Sequence, residues 1–177
     1  MLNQRAVPVP LRGATPAFKG DFKPNGFTLL ELIIAVVVVA ILASIAMPSF
    51  LDAIRKSRRS EAIAALNTLQ QAQERFRSNN LTYANNLTAA PTATPTPGLG
   101  LTTTTPSGYY TVALVSGNVS SYEATATAVA GTSQANDGNC AQLGVKFDAG
   151  GLLYASGTAG STFSSSSYTA SNPCWAR

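Results

Sequence analysis

From Phe27 to Phe50 the chain is apolar at nearly every position, and Glu31 is the one charged residue in that stretch. As a helix rising 1.5 Å per residue the segment would be roughly 36 Å long, enough to cross a hydrocarbon layer of about 30 Å. The apolar core of a secretory signal runs only about 7 to 15 residues and ends in an A-x-A-like site. This segment is longer and lacks a clear site of that kind, so it reads as a membrane-spanning helix. Pro48 near its far end predicts a kink, because proline removes a backbone donor and crowds the preceding turn.

After Pro48 the pattern changes from uniformly apolar to periodic. In "SFLDAIRKSRRSEAIAALNTLQQAQERFRSNN", Leu51, Ile54, Ala62, Ala65, Leu66, Leu69, Ala72 and Phe76 recur at spacings of three and four. That places them near one helical face. Asp52, Lys56, Arg59, Gln70, Glu74 and Arg77 fall on other faces, with Asp52 and Lys56 spaced as an i,i+4 ion pair. One helix is therefore expected to leave the membrane and enter a folded domain, with Arg58 breaking the stripe at the neck.

Asn79-Asn80 is a helix stop, and the Pro/Thr-rich stretch from Thr88 to Gly108 reads as an irregular surface connection. Beyond it "YYTVALV" from Tyr109 and "SYEATATAVA" from Ser121 alternate and are rich in strand formers, joined through Ser116-Gly117-Asn118. "LGVKFDAGGLLYASG" reads as two further strands about Asp148-Ala149-Gly150-Gly151. The expected class is α+β: a long N-terminal helix, half transmembrane and half amphipathic, packed on a four-stranded antiparallel sheet.

Composition changes this picture in three places. Charged residues are only 11% of the chain, against abundant Thr, Ser, Ala and Gly, which suits an extracytoplasmic surface. The net charge of +4 is concentrated at the front, where Arg5, Arg12, Lys19 and Lys23 stand against Asp21. From Phe27 onward eight Lys/Arg face seven Asp/Glu, so a strongly basic nucleic-acid surface is not indicated. Basic residues flank the apolar segment on both sides, Arg55, Lys56, Arg58 and Arg59 following it, so charge alone leaves the orientation tied. Cys140 and Cys174 read as one disulfide in an oxidising compartment, which puts the C-terminus outside; two separate buried thiols are the alternative. A loop of that length closed by a bridge would remove roughly 3 to 4 kcal/mol of unfolded-state entropy.

Glu31 sits about one turn into the apolar segment, where an ionised carboxylate costs a few kcal/mol unless it is paired. No basic residue lies between Lys23 and Arg55, so the partner has to come from another chain or from a newly made amine. Gly26-Phe27-Thr28-Leu29-Leu30-Glu31, followed by the apolar run and Pro48, resembles the start of a type IV prepilin. "RKSRRSEA", "NDGNCAQLGVKFDAGGLLY" and the terminal "CWAR" are similar to the PilE-like group of that family.

The resemblance implies a leader at residues 1–26, a transmembrane and filament-core helix at 27–50, and a globular domain at 51–177. Within that domain it implies an amphipathic helix at 51–78, a connecting loop at 79–108, and a sheet with its disulfide region at 109–177. It further implies cleavage by prepilin peptidase between Gly26 and Phe27, N-methylation of Phe27, subunit assembly through Glu31, a helix kink at Pro48, and a C-terminal loop closed by Cys140 and Cys174. Glu31 would then meet the Phe27 amine of a neighbouring subunit. Expected partners are other pilin subunits, prepilin peptidase, the inner-membrane assembly platform and membrane lipid before assembly, with nucleic acid a weaker candidate. The expected location is the inner membrane, single-pass with a periplasmic C-terminus, and then an extracellular pilus serving adhesion, twitching motility or DNA uptake. A type II secretion pseudopilin shares the same front end, and a signal-anchored module binding DNA or another ligand is the reading from a different class.

No enzyme and no cofactor are expected. Without histidine the chain has no Ser-His-Asp or Cys-His pair and no His-containing zinc site. Asp137, Asp148 and Glu123 lack the spacing of a calcium loop. Arg75, Arg77, Lys146 and Arg177 are too sparse to track a phosphate backbone, and Tyr109, Tyr110, Tyr122 and Trp175 read as packing residues before base-stacking ones. Asn80, Asn86 and Asn118 begin glycosylation-acceptor triplets, a pattern that chance supplies in a chain this rich in Asn, Ser and Thr.

Overall fold

A computed structural model describes residues 26–175. Helix α1, Leu29–Asn79, is followed by strands β1 (Tyr110–Gly117), β2 (Tyr122–Ala128), β3 (Gln142–Asp148) and β4 (Gly151–Gly157), with four short 3-10 turns between and after them. The chain divides into two units, one ending at Ile41 and the other beginning at Leu42. The expected leader lies outside the described residues apart from Gly26.

In the first unit α1 begins where a capping pair allows it. Thr28 precedes the first helical residue, and its hydroxyl accepts the backbone N–H of Glu31 at 3.2 Å, satisfying one of the donors that a helix start leaves free. The side chains from Phe27 through Ile41 are exposed. Among the described residues α1 is the helix whose length and composition suffice to cross a membrane.

In the second unit α1 stays exposed to Ala53, continues through Pro48, and then buries one stripe: Ala62, Leu66, Leu69, Ala72, Gln73 and Phe76. The expected stripe is therefore shorter at its start, since Leu51 remains 42% exposed and Ile54 only half-buried. Asp52 pairs with Arg55 at 3.1 Å, one turn on, in place of the expected Lys56. The broad guanidinium reaches the short aspartate across i,i+3, which leaves Lys56 outside the pair.

The sheet runs in the order β1-β2-β3-β4, antiparallel throughout. Tyr122, Ala124, Ala126 and Ala128 of β2 and Leu143 and Val145 of β3 are buried in one core with the helical stripe. The alanines on both layers leave room for close approach. Tyr83, Tyr122 and Phe147 close one end of this core with ring centroids 4.9 to 5.8 Å apart. Gln73 is fully buried because its amide acts as a strand would: Nε2 donates to the Ala84 carbonyl at 3.0 Å, and Oε1 accepts the Ala84 N–H at 2.9 Å.

The β3–β4 hairpin turns on Ala149 and Gly150, with φ of 48° and 83°, the two successive positive values of a type I′ turn. β1 has a bulge between Leu114 and Ser116 and runs on through Gly117, so the first hairpin turns later than expected, at residues 118–121. Both outer strands carry an extra backbone partner. Val112 N–H donates to Thr103 O at 2.7 Å beside β1, and Tyr154 and Thr169 exchange two bonds of 2.7 and 2.9 Å beside β4.

The C-terminal segment covers the sheet's second face over β3 and then turns round to meet the core side. Phe163 and Tyr168 lie over Gly144, and the Tyr168 hydroxyl donates to Glu123 Oε1 at 2.8 Å. Trp175 Nε1 donates to the Ala155 carbonyl at 3.1 Å while its ring lies 4.6 Å from that of Tyr154. A Cys140–Cys174 disulfide, with Cα atoms 5.5 Å apart, fastens this segment back to the turn before β3.

Candidate functional site

The junction residues lie at the open start of α1. Gly26 is exposed, and Phe27 presents 82% of its surface. Glu31 occupies the first helical turn, where the helix dipole favours a negative charge. Its backbone is held by Thr28, while its carboxylate makes no hydrogen bond or ion pair with another described residue. Leu29, Leu30, Leu32 and Ile33 around it are between 50% and 76% exposed. Among the described residues this carboxylate has no partner amid exposed apolar side chains, and burying it unpaired would be costly.

In the second unit the neck cations, which read as a basic cluster in sequence, are mostly committed. Arg55 is bound to Asp52. Arg58 lies 3.7 Å over the Tyr109 ring and donates to Ser133 Oγ at 2.6 Å. Arg59 forks onto Asp137 at 3.1 and 3.0 Å. Farther along, Arg77 lies over Tyr83 and donates to the Asn80 carbonyl at 3.2 Å, and Lys146 pairs with Asp148 at 3.0 Å. Lys56 and Arg75 carry no ion pair to a described residue; Arg177 lies outside the described residues.

The three carboxylates weighed for calcium are not brought together. Asp137 is held by Arg59, Asp148 by Lys146 and Glu123 by Tyr168. Among the described residues no three His, Cys, Asp or Glu side chains converge as metal ligands.

The tyrosines form no exposed stacking platform. Tyr110 and Tyr122 are buried, and Tyr109 is half-covered beneath Arg58. Burial pushes the Tyr110 hydroxyl up to about 12, opposed by the hydrogen bond it receives from Gln134 Nε2 at 2.8 Å. Burial also raises Tyr122 and Tyr168, the latter further through its bond to Glu123. Gln134 was not legible as an internal residue. It is fully buried and links Tyr110, Asp137 (2.9 Å) and the Arg55 carbonyl (3.3 Å), and the only local signal is its place two residues after a Gly-Thr turn.

Comparison with known proteins places this architecture. Residues 22–47 match the family profile described as the prokaryotic N-terminal methylation motif. Residues 48–144, more than half of the chain, match the family described as type IV minor pilin ComP, DNA uptake sequence receptor. The chain is similar to the type IV major pilin PilA of Myxococcus xanthus, 44% identical over 65 residues, covering 36% of this chain and 30% of that protein. It is similar to the type IV wide pilus major component PilA4 of Thermus thermophilus, 35% identical over 65 residues, covering 37% of this chain and 50% of that one. The type II secretion system core protein G of Pectobacterium carotovorum is 28% identical over 85 residues, covering 45% and 54%. The chain thus spans about a third to a half of the length of these relatives. With the helix and four-stranded sheet described above and a family match over most of the second unit, the chain belongs to the type IV pilin family.

Proposed function

We propose that the protein is a filament subunit, made as a membrane-inserted precursor, cut between Gly26 and Phe27, N-methylated on Phe27, and polymerised into a type IV pilus. The family is one of structural subunits and not of enzymes. The observation that carries the reading is Glu31, a carboxylate with no side-chain partner among the described residues, on an exposed apolar helix four residues after Phe27 at the glycine-phenylalanine junction.

Cleavage creates an amine at Phe27. In the bilayer Glu31 has no complement within its own helix. In a filament core the Phe27 amine of a neighbouring subunit supplies one, in surroundings where a charge pair is strong and a lone charge is costly. Apolar helix surface exchanges lipid for other helices, so the charge pair sets the register while packing supplies the adhesion. Prepilin peptidase and an inner-membrane platform are the partners this route requires. The disulfide favours a periplasmic C-terminus before assembly.

A pseudopilin role, suggested by similarity to core protein G, shares this front end but would keep the protein in the periplasm. DNA uptake is the second reading, favoured by the description of the matching family. Within the described globular part Lys56, Arg58, Arg75 and Arg77 are the cations without a carboxylate partner, so a receptor of this kind would depend on shape and polar contacts as well as on a few scattered charges. Intact-mass and N-terminal peptide mass spectrometry of sheared surface filaments tests the main proposal. A chain beginning at N-methyl-Phe27 in that fraction is expected; a chain beginning at Met1 and confined to membranes would overturn it.

A further inference from the structure

The neck carries a groove of about 440 Å³ between one face of α1 and the disulfide. Ala53, the adjacent Lys56 and Ser57, Ser60 and Ile63 lie down that face one turn after another, and Cys174 forms the opposite wall. Arg59 also reaches the groove, but its charge is balanced by Asp137. The Lys56 ammonium and the Ser57 hydroxyl have no hydrogen bond or ion pair to a described residue. The groove thus has apolar walls at Ala53, Ile63 and Cys174 and, among the described residues, one uncompensated positive charge beside a hydroxyl.

We infer that this groove holds the headgroup of an anionic phospholipid, its phosphodiester at Lys56 and Ser57, its acyl side toward Ala53 and its free glycerol toward Ser60. Three arguments favour a lipid over other occupants. The charge of +1 that the described residues leave matches a monoanionic phosphodiester. The groove is continuous with the exposed apolar surface, because Phe50 and Leu51 are 62% and 42% exposed and Ala53 follows directly. Position fits too: Lys56 lies about 9 Å along the helix axis from Phe50, and helical side chains lean toward the N-terminus, here the membrane end. That brings the ammonium back into the headgroup layer, which adds about 5 to 7 Å to each side of the hydrocarbon core.

The inference rests on the membrane-anchored reading, and the experiment separates the two. The full chain, purified in detergent, is titrated with phosphatidylglycerol, phosphatidylcholine and inorganic phosphate and followed by native mass spectrometry. One phosphatidylglycerol is expected to be retained about tenfold more tightly than phosphatidylcholine, with millimolar phosphate failing to displace it. Lys56→Gln should weaken that retention about fivefold, the contribution of a single lysine at an anionic surface. Ala53→Trp, which fills the groove from an exposed position and leaves Lys56 in place, should weaken it as well. Lys56→Arg should restore it. Equal retention of the two lipids, retention unchanged in both variants, or displacement by phosphate would each overturn the headgroup site. Carbonate extraction of the source cells tests the anchor: release of the chain into the soluble fraction overturns membrane anchoring, whereas lost lipid preference in a chain that stays with the membrane overturns this inference alone.

Discussion

Arg59 and Asp137, 78 residues apart in the chain, form a two-pronged ion pair with side chains only 17% and 9% exposed. The pair ties the neck of α1 to the turn that carries Cys140, and Gln134 adds a third bond to the same carboxylate at 2.9 Å. Asp137→Ala is expected to cost about 3 to 5 kcal/mol, because it leaves Arg59 buried without its countercharge. Replacing both residues with apolar ones of similar volume should cost much less. Urea unfolding of the detergent-solubilised chain, followed by circular dichroism, measures both; equal losses would show that the charges do not act as a pair.

Glu31→Ala is expected to abolish filaments while the full chain still accumulates in the membrane. Glu31→Gln should fail in the same way, since an amide keeps the shape but not the charge. Immunoblots of sheared and membrane fractions report the outcome. Normal filament yield from Glu31→Gln would remove the charge pair from the assembly route.

Two glycines should respond differently to a single methyl group. At Gly117 a Cβ would lie 1.9 Å from the Ala84 carbonyl oxygen, a backbone atom that cannot swing away. At Gly144 it would meet the Phe163 ring and the Tyr168 hydroxyl at 2.9 Å, both on side chains that can lift. Gly144→Ala should cost about 1 to 3 kcal/mol and loosen the C-terminal cover, and Gly117→Ala should cost more. Thermal denaturation ranks the two, and limited proteolysis near residues 158–172 shows whether the cover has lifted.

Stability should fall in alkali. The Tyr110 hydroxyl holds its proton up to about 12 in the folded state, against an ordinary value near 10. Between those limits the unfolded chain ionises first, so the native state loses about 1.4 kcal/mol per pH unit on account of this residue alone. The contribution is complete below pH 10 and is lost as pH rises toward 12. Tyr122 and Tyr168 shift the same way and steepen the decline. Tyr110→Phe should make the slope shallower in pH-dependent urea titrations.

Much of the architecture was readable from periodicity. The switch from the uniform apolarity of Phe27–Phe50 to the spacing of Ala62, Leu66, Leu69 and Phe76 marked where α1 passes into a core. The alternation in Tyr122-Glu123-Ala124-Thr125-Ala126 marked β2 as a strand. The interior polar contacts were not readable. Gln73 and Gln134 are buried because a distant backbone or hydroxyl meets them, and no local pattern records that meeting. For the same reason Asp52 met Arg55 instead of Lys56, a choice set by side-chain reach. The cover that Phe163 and Tyr168 place on the outer sheet face was hidden in a serine-rich stretch whose composition resembles a loop. At the junction, Glu31 was conspicuous because a charge in an apolar run has no role in packing.

The partners on the two outer strands bear on crowding. Thr103 lies against Val112 on β1, and Thr169 is bonded to Tyr154 on β4, so each margin of the sheet is interrupted by a backbone partner. A surface polymer holds its heads at very high local concentration, the condition under which bare strand margins fuse into irreversible aggregates. With each margin interrupted in this way, neighbouring heads in the proposed filament would be less prone to exchange strands. In the proposed filament, elongation and disassembly would then be left to the helix, whose contacts could be made and broken while every head stays folded.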